Sequence, residues 1–149
     1  MSTSRKQALA GLTFWIVAAV TFLIVFFRGG GPESFASQSG RVLLTSIAYG
    51  IGFLVHFGLV VRFRNRRSGD VTLRDDRDDE VSRLANGVSL VVTLMFVYAT
   101  GIVLWEIYRH DGFAPIGWFW FVAYVSVMVG FIAHAAATLI IDSSGITEG

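Results

Sequence analysis

Two histidines, His56 and His134, are the residues of this sequence whose type and position could support chemistry inside a membrane. Each lies near the end of a long apolar segment, His56 five residues before Val61 and His134 seven residues before Ile141. With a helical rise of about 1.5 Å per residue, both imidazoles would lie roughly 7 to 10 Å inside the same membrane boundary. Two imidazoles that face each other at one depth could ligate haem iron or a divalent metal, or hydrogen-bond a quinone.

The alternative interpretation is that both histidines are structural. A neutral imidazole can satisfy its ring N–H with a helix carbonyl or with a Ser or Thr hydroxyl. A membrane cytochrome that holds two haems between histidine pairs needs more membrane histidines than this chain has. We therefore predict no cofactor and no metal site, with haem b at His56 and His134 as the alternative, and we expect His110 to be exposed to solvent.

Other chemistries find less support. The chain has no cysteine, which excludes disulfides, Cys-ligated metal centres and thiol relays. It shows no mid-membrane carboxylate, no Ser-His-Asp order and no Gly-rich phosphate loop, so we do not predict an enzyme. A small proton-coupled exporter would carry a Glu in its first helix, where this chain has only Thr13 and Thr21. Its formal net charge of +1 gives no general attraction to nucleic acid.

The composition predicts that lipid surrounds these residues. Of the 149 residues, 54% are hydrophobic and 15% are charged, against about 25% charged in soluble domains. Four segments reach the roughly 20 apolar residues that span a bilayer. We predict an all-α integral membrane bundle of four transmembrane helices in a single domain, 1–149, with helices at about 9–27, 42–61, 76–107 (membrane part 84–107) and 116–141.

The positions of the basic residues predict the orientation, because Lys and Arg resist translocation. Nine of the twelve fall before the first span or in the connection 62–83, which we call the inner loop. We predict that both termini and the inner loop are cytoplasmic and that the helices form two antiparallel hairpins. The protein would be a multi-pass protein of the cell membrane, or of the inner membrane where there are two.

The inner loop combines a basic cluster with an acidic run. The cluster is interpreted first as a topology determinant and second as a site for anionic lipid headgroups. The acidic run suits a helix start, since carboxylates are stabilised at helix N-termini, and it lacks the spacing of a calcium-binding EF-hand loop. A docking epitope for a cytoplasmic protein is a further interpretation. The residues concerned are Arg62, Arg64, Arg66, Arg67, Asp75, Asp76, Asp78, Asp79 and Glu80.

The same run carries a resemblance to a known family. The box Asp75-Asp76-Arg77-Asp78-Asp79-Glu80, followed by Arg83 and Ala85 and then a membrane helix, resembles the DUF2178-type group of small predicted membrane proteins in bacteria and archaea. The resemblance covers about a fifth of the chain and its four-span layout. It departs at Asp76, where the box usually has Glu. It implies a membrane location and no established activity.

Small residues near the two histidines predict close helix packing, either within the chain or between two copies of it. These residues are Gly50, Gly52, Gly58, Gly130, Ala133 and Ala137. A polar stripe on the third helix, Asn86, Ser89, Thr93 and Thr100, predicts interhelical hydrogen bonds.

Together these features favour an accessory, regulatory or assembly subunit that acts through helix packing and a charged cytoplasmic loop, as a homo-oligomer or in a membrane complex. The alternatives are a haem- or quinone-binding electron-transfer protein that uses His56 and His134, and a small transporter.

Overall fold

The computed structural model describes residues 3–35, 37–67 and 76–144. Nearly all of these residues are helical, and none of them forms a β-strand. The helices are α1 (Thr3–Arg28), α2 (Gly31–Phe35), α3 (Ser39–Arg67), α4 (Asp76–Tyr108) and α5 (Gly117–Ser144). All except α2 are long and apolar enough to cross a membrane. The predicted all-α bundle with four membrane-spanning helices is therefore confirmed.

The short helix α2 is the element that differs from expectation. The segment Gly29-Gly30-Gly31-Pro32 predicts a simple turn, and Gly30 and Gly31 do break α1 with φ angles of 96° and 67°. The chain then forms one helical turn, which Pro32 favours because its fixed φ and missing N–H suit a helix start. Phe35 ends this turn fully buried, with its ring centroid 5.1 Å from that of Phe26. The connection between the first two spans is thus packed against the bundle.

Helix α5 is central to the bundle. It packs along α4 on one side and along α1 on the other, whereas α3 packs its backbone closely only against α1. Over the described residues, α3 and α4 make at most marginal contact. The first predicted hairpin is therefore looser than the second, and α1 finds its main partner in α5.

An aromatic core joins α1, α2 and α5. Trp15, Phe22 and Phe26 lie seven and four residues apart, which places them on one face of α1. They pack against Phe35 of α2 and against α5. The other faces of α1 carry exposed aliphatic side chains, which suit contact with lipid.

The interface of α4 with α5 depends on small residues. A Cβ atom added at Gly130 would lie 3.1 Å from the Thr93 hydroxyl oxygen, so only glycine fits there without a shift. The Ser89 hydroxyl donates a hydrogen bond of 2.7 Å to the Gly130 carbonyl oxygen. The predicted polar stripe thus makes an interhelical hydrogen bond where small residues bring the backbones close.

We expect Gly117→Ala to destabilise the fold. A Cβ atom at this buried position would collide with the carbonyl oxygen of Pro32 and lie 2.6 Å from its Cα, so backbone must move. Overpacking costs about 1–3 kcal/mol, and a backbone contact belongs at the upper end of that range. Thermal unfolding in detergent measures the effect. The matched control is Gly87→Ala, where nothing lies within 4 Å of the added Cβ. Equal melting temperatures for the two variants would contradict the packing of α2 on α5.

The predicted orientation can be tested with single cysteines, since the chain has none. Ser37 and Ser143 are both exposed and lie at opposite ends of the bundle. In intact cells a membrane-impermeant maleimide should label Ser37→Cys, and it should label Ser143→Cys only after permeabilisation. The reverse pattern would show that the orientation is inverted.

Candidate intramembrane ligand site

His56 and His134 line one cavity. Its volume is about 390 Å³, and its walls come from α3, α4 and α5. The two imidazoles are close enough to interact electrostatically. The cavity is open rather than enclosed, and it lies where α3 and α4 are not closely packed. Both histidines lie in helices that are long and apolar enough to cross a membrane. The lining residues are His56, Asn86, Ser89, Thr93, Ser126, Val127, Gly130, Phe131 and His134.

His56 is held in place by aromatic neighbours. The indole Nε1–H of Trp15 donates a hydrogen bond of 3.2 Å to Nδ1 of His56. The His56 ring also packs against Phe131, with ring centroids 4.7 Å apart. On the side of α1, the imidazole lies next to Gly11, where an added Cβ would be 3.9 Å from its Cε1 atom, an ordinary van der Waals contact. Both the position and the hydrogen bonding of this imidazole are therefore determined by α1 and α5.

His134 has a less complete environment. Its imidazole lies near the backbone carbonyl of Ala85, a fully buried residue of α4. Its Nδ1 atom is buried and finds no hydrogen-bond partner among the described residues. An unpaired buried polar atom costs about 1–3 kcal/mol. Within the part of the chain that the structure describes, Nδ1 of His134 thus lacks the partner that buried polar groups normally have.

The α4 wall of the cavity presents hydroxyl oxygens. Ser89 donates its hydroxyl proton to the Gly130 carbonyl, and Thr93 donates its own to the Ser89 carbonyl at 2.8 Å. Each hydroxyl oxygen keeps acceptor capacity after donating its proton. With the carboxamide of Asn86, this wall offers both acceptors and donors to a bound molecule. No carboxylate is present among the lining residues.

A second, apolar cavity of about 370 Å³ lies between α1 and α3. Its walls include Phe14, Phe22, Leu44 and Met128. Trp15 borders this cavity and Phe131 borders the histidine cavity. The two rings are stacked with centroids 4.6 Å apart and planes 2° from parallel. This stacked pair therefore lies between a mainly apolar space and one whose walls carry more polar groups.

Side chains rather than close backbone packing connect α3 to α5. The hydroxyls of Ser46 and Tyr124 share a hydrogen bond of 2.6 Å, and the Tyr49 hydroxyl donates to the Tyr124 carbonyl at 2.8 Å. Phe53 also reaches the ring of Phe131, with centroids 5.7 Å apart. These long contacts position α3, and with it His56, at a distance from α5 that leaves the cavity open.

The six predicted packing residues occupy different environments. Gly52 faces Phe14, whose ring would lie 3.6 Å from an added Cβ. Gly130 and the buried Ala137 pack within the bundle, and Ala133 is half-buried. Gly50 and Gly58 have nothing within 4 Å of an added Cβ, so their role in packing, which would be against a second copy, stays a prediction.

The predicted docking and headgroup residues of the inner loop lie mostly outside the described part of the chain. Asp75 is not described, and the same holds for the side chains of Asp76 and Asp78 and of the four arginines 62, 64, 66 and 67. Asp79 and Glu80 are exposed on the first turns of α4. Their docking and lipid-binding roles stay predictions. His110 is exposed, as expected, and accepts a hydrogen bond from Arg109.

Sequence reasoning missed two parts of this site. Trp15 gives no signal as a partner of His56, because 41 residues separate them and nothing in the sequence shows how α1 is rotated. The α4 wall did give a signal. Asn86, Ser89 and Thr93 follow helical spacing at the end of the span where the histidines lie. Their depth could have linked the polar stripe to the histidine pair.

The chain matches no protein-family model, no curated protein and no solved structure. The resemblance of residues 75–80 to the DUF2178-type group therefore stays a prediction. Function must be inferred from the geometry of the site.

Proposed function

We propose that this multi-pass membrane protein binds a small lipid-soluble molecule with a polar head in the cavity between α3, α4 and α5. The observation that carries the proposal is the convergence of His56, His134 and the polar wall of α4 on one open cavity at membrane depth.

Three physical arguments support this proposal. Ionisable side chains inside a membrane are costly, so their presence favours a functional role. A volume of about 390 Å³ falls within the roughly 300–1,000 Å³ of typical ligand pockets. The open side lets a molecule arrive from the lipid phase. Electron transfer by a haem or quinone at the same histidines is the narrower form of this hypothesis.

The test is recovery of a ligand from the purified protein. Protein extracted into nanodiscs is treated with organic solvent, and the extract is compared by mass spectrometry with empty nanodiscs. We expect a lipid-soluble compound that is enriched with the wild-type protein and reduced at least several-fold in His56→Ala/His134→Ala. The control is His110→Ala, which removes an exposed imidazole far from the cavity in sequence. Equal recovery from a folded double variant would contradict the proposal.

A role as an accessory or assembly subunit is the second candidate, and the exposure of α3 favours it. No residue of the α3 membrane span is buried within the described chain, and Gly50 and Gly58 lie open on this helix. Small open residues permit close approach of another transmembrane helix. The occupant would be a second copy or a different membrane subunit. No comparable observation in the described residues favours the alternative of a small transporter.

The assembly role predicts that the protein is not monomeric in mild detergent. Light scattering should give a multiple of the 16.3 kDa chain mass or a complex with a co-purifying subunit. Gly50→Leu/Gly58→Leu should reduce the mass to that of one chain, because bulky side chains would block close approach. Gly87→Leu, an equally open position on α4, is the control. A strictly monomeric wild-type protein without a partner would remove support for this role.

A further inference from the structure

We infer that the ligand of the histidine cavity is of the quinone class, that His56 binds it as a hydrogen-bond donor through Nε2–H, and that Trp15 is the positioning residue that determines this role. The inference rests on the proposed function and specifies its ligand.

The hydrogen bond between Trp15 and His56 determines which imidazole nitrogen carries the proton. An indole N–H can only donate, so Nδ1 of His56 must accept. A neutral imidazole has one donor nitrogen and one acceptor nitrogen, so the proton lies on Nε2. Trp15 is only 1% exposed and is stacked on Phe131, so the indole has little freedom to turn away from His56.

This arrangement is the reverse of what a metal or haem ligand needs. A histidine that ligates through Nε2 must carry its proton on Nδ1, and it normally donates that proton to a carboxylate, a carbonyl or a water. Here Nδ1 faces a second donor, so the Nδ1–H form would place two N–H groups against each other. The other nitrogen, Nδ1, is already occupied by the indole. His56 is therefore prepared to donate a hydrogen bond and poorly suited to coordinate iron.

The remaining polar groups fit the two redox forms of a quinone. The Nε2–H group of His56 needs an acceptor, which a quinone carbonyl supplies. The hydroxyl oxygens of Ser89 and Thr93 have already donated their protons, so they can accept from the hydroxyl of a quinol. The Asn86 carboxamide can either donate or accept a hydrogen bond. A ligand whose oxygens change between acceptor and donor satisfies both sides of this cavity.

The size and exposure of the cavity agree with this class. A cavity of about 150 Å³ is large enough to hold benzene, so about 390 Å³ accommodates a substituted ring. The open side allows the apolar tail of such a molecule to remain among the lipids. Lipid solubility, a planar ring and carbonyl oxygens are the combined properties of quinones.

The first measurement determines which nitrogen of His56 carries the proton in the wild-type protein. In nanodiscs with ¹⁵N-labelled histidine, the His56 signals assigned by comparison with His56→Gln should show a protonated Nε2 and an unprotonated Nδ1. Trp15→Phe keeps an aromatic ring but removes the donor, so the Nδ1–H form should appear. Trp105→Phe, which changes an exposed tryptophan, should leave the signals unchanged. A protonated Nδ1 of His56 in the wild-type protein would overturn the inference, whatever Trp15→Phe shows.

The second measurement uses decylubiquinone and haem b as probes, each titrated into the protein in nanodiscs. Decylubiquinone should bind in calorimetry. His56→Ala should weaken it by about tenfold, the factor expected for loss of one hydrogen bond, and Trp15→Phe by about twofold to fivefold, because His56 then spends less time in the competent form. His110→Ala and Trp105→Phe should bind like the wild type.

The outcomes separate the two proposals. Two results would overturn this inference while the cavity remained a ligand site. One is a low-spin haem spectrum that depends on His56, and the other is decylubiquinone binding that is unchanged in His56→Ala. If folded wild-type protein bound neither probe and yielded no lipid-soluble compound on extraction, both the inference and the proposed function would fail.

Discussion

The packing of Trp15 is the interaction on which the rest of the structure depends. Its ring stacks on Phe131 of α5 and contacts Tyr49 and Phe53 of α3, while its N–H bonds to His56. One buried side chain of α1 thereby joins three of the four spanning helices. In a membrane, aliphatic contact with a neighbouring helix differs little from contact with lipid. A large ring with a single directed N–H supplies the geometry that apolar burial alone does not.

The central position of α5 follows from small residues at its start and at its middle. At Gly117 its backbone lies directly against Pro32 of α2, and at Gly130 it lies close to the hydroxyl of Thr93. Between these points large aromatic rings hold it to α1. Close approach on the α4 side and bulky spacers on the α3 side make the bundle asymmetric. The cavity results from that asymmetry. Tyrosine side chains separate α3 from α5, whereas α4 packs closely against α5.

Hydrophobic length predicts the four spanning helices because the bilayer imposes that length on any sequence. The equal depth of His56 and His134 is likewise an axial property that residue counting can measure. The rotation of each helix about its axis cannot be obtained by counting residues. Apolar residues surround most of each span, so no periodicity shows which face turns inward, and the partnership of Trp15 with His56 could not be derived. The helix α2 was missed for another reason, since a five-residue helix depends on the tertiary burial of its Phe35 side chain and not on local helix propensity.

The open side between α3 and α4 would link the binding of the proposed ligand to the stability of the bundle. In the described chain, α3 is connected by a few hydroxyl and aromatic contacts, and none of its membrane span is buried. A molecule in the cavity would touch His56 on α3 and Ser89 on α4, so it would supply contacts between helices that the described residues do not provide. A ligand that binds only the assembled form stabilises that form by mass action. The polar cavity and the weakly held helix are therefore one feature, since closer packing of α3 would stabilise the bundle and remove the site.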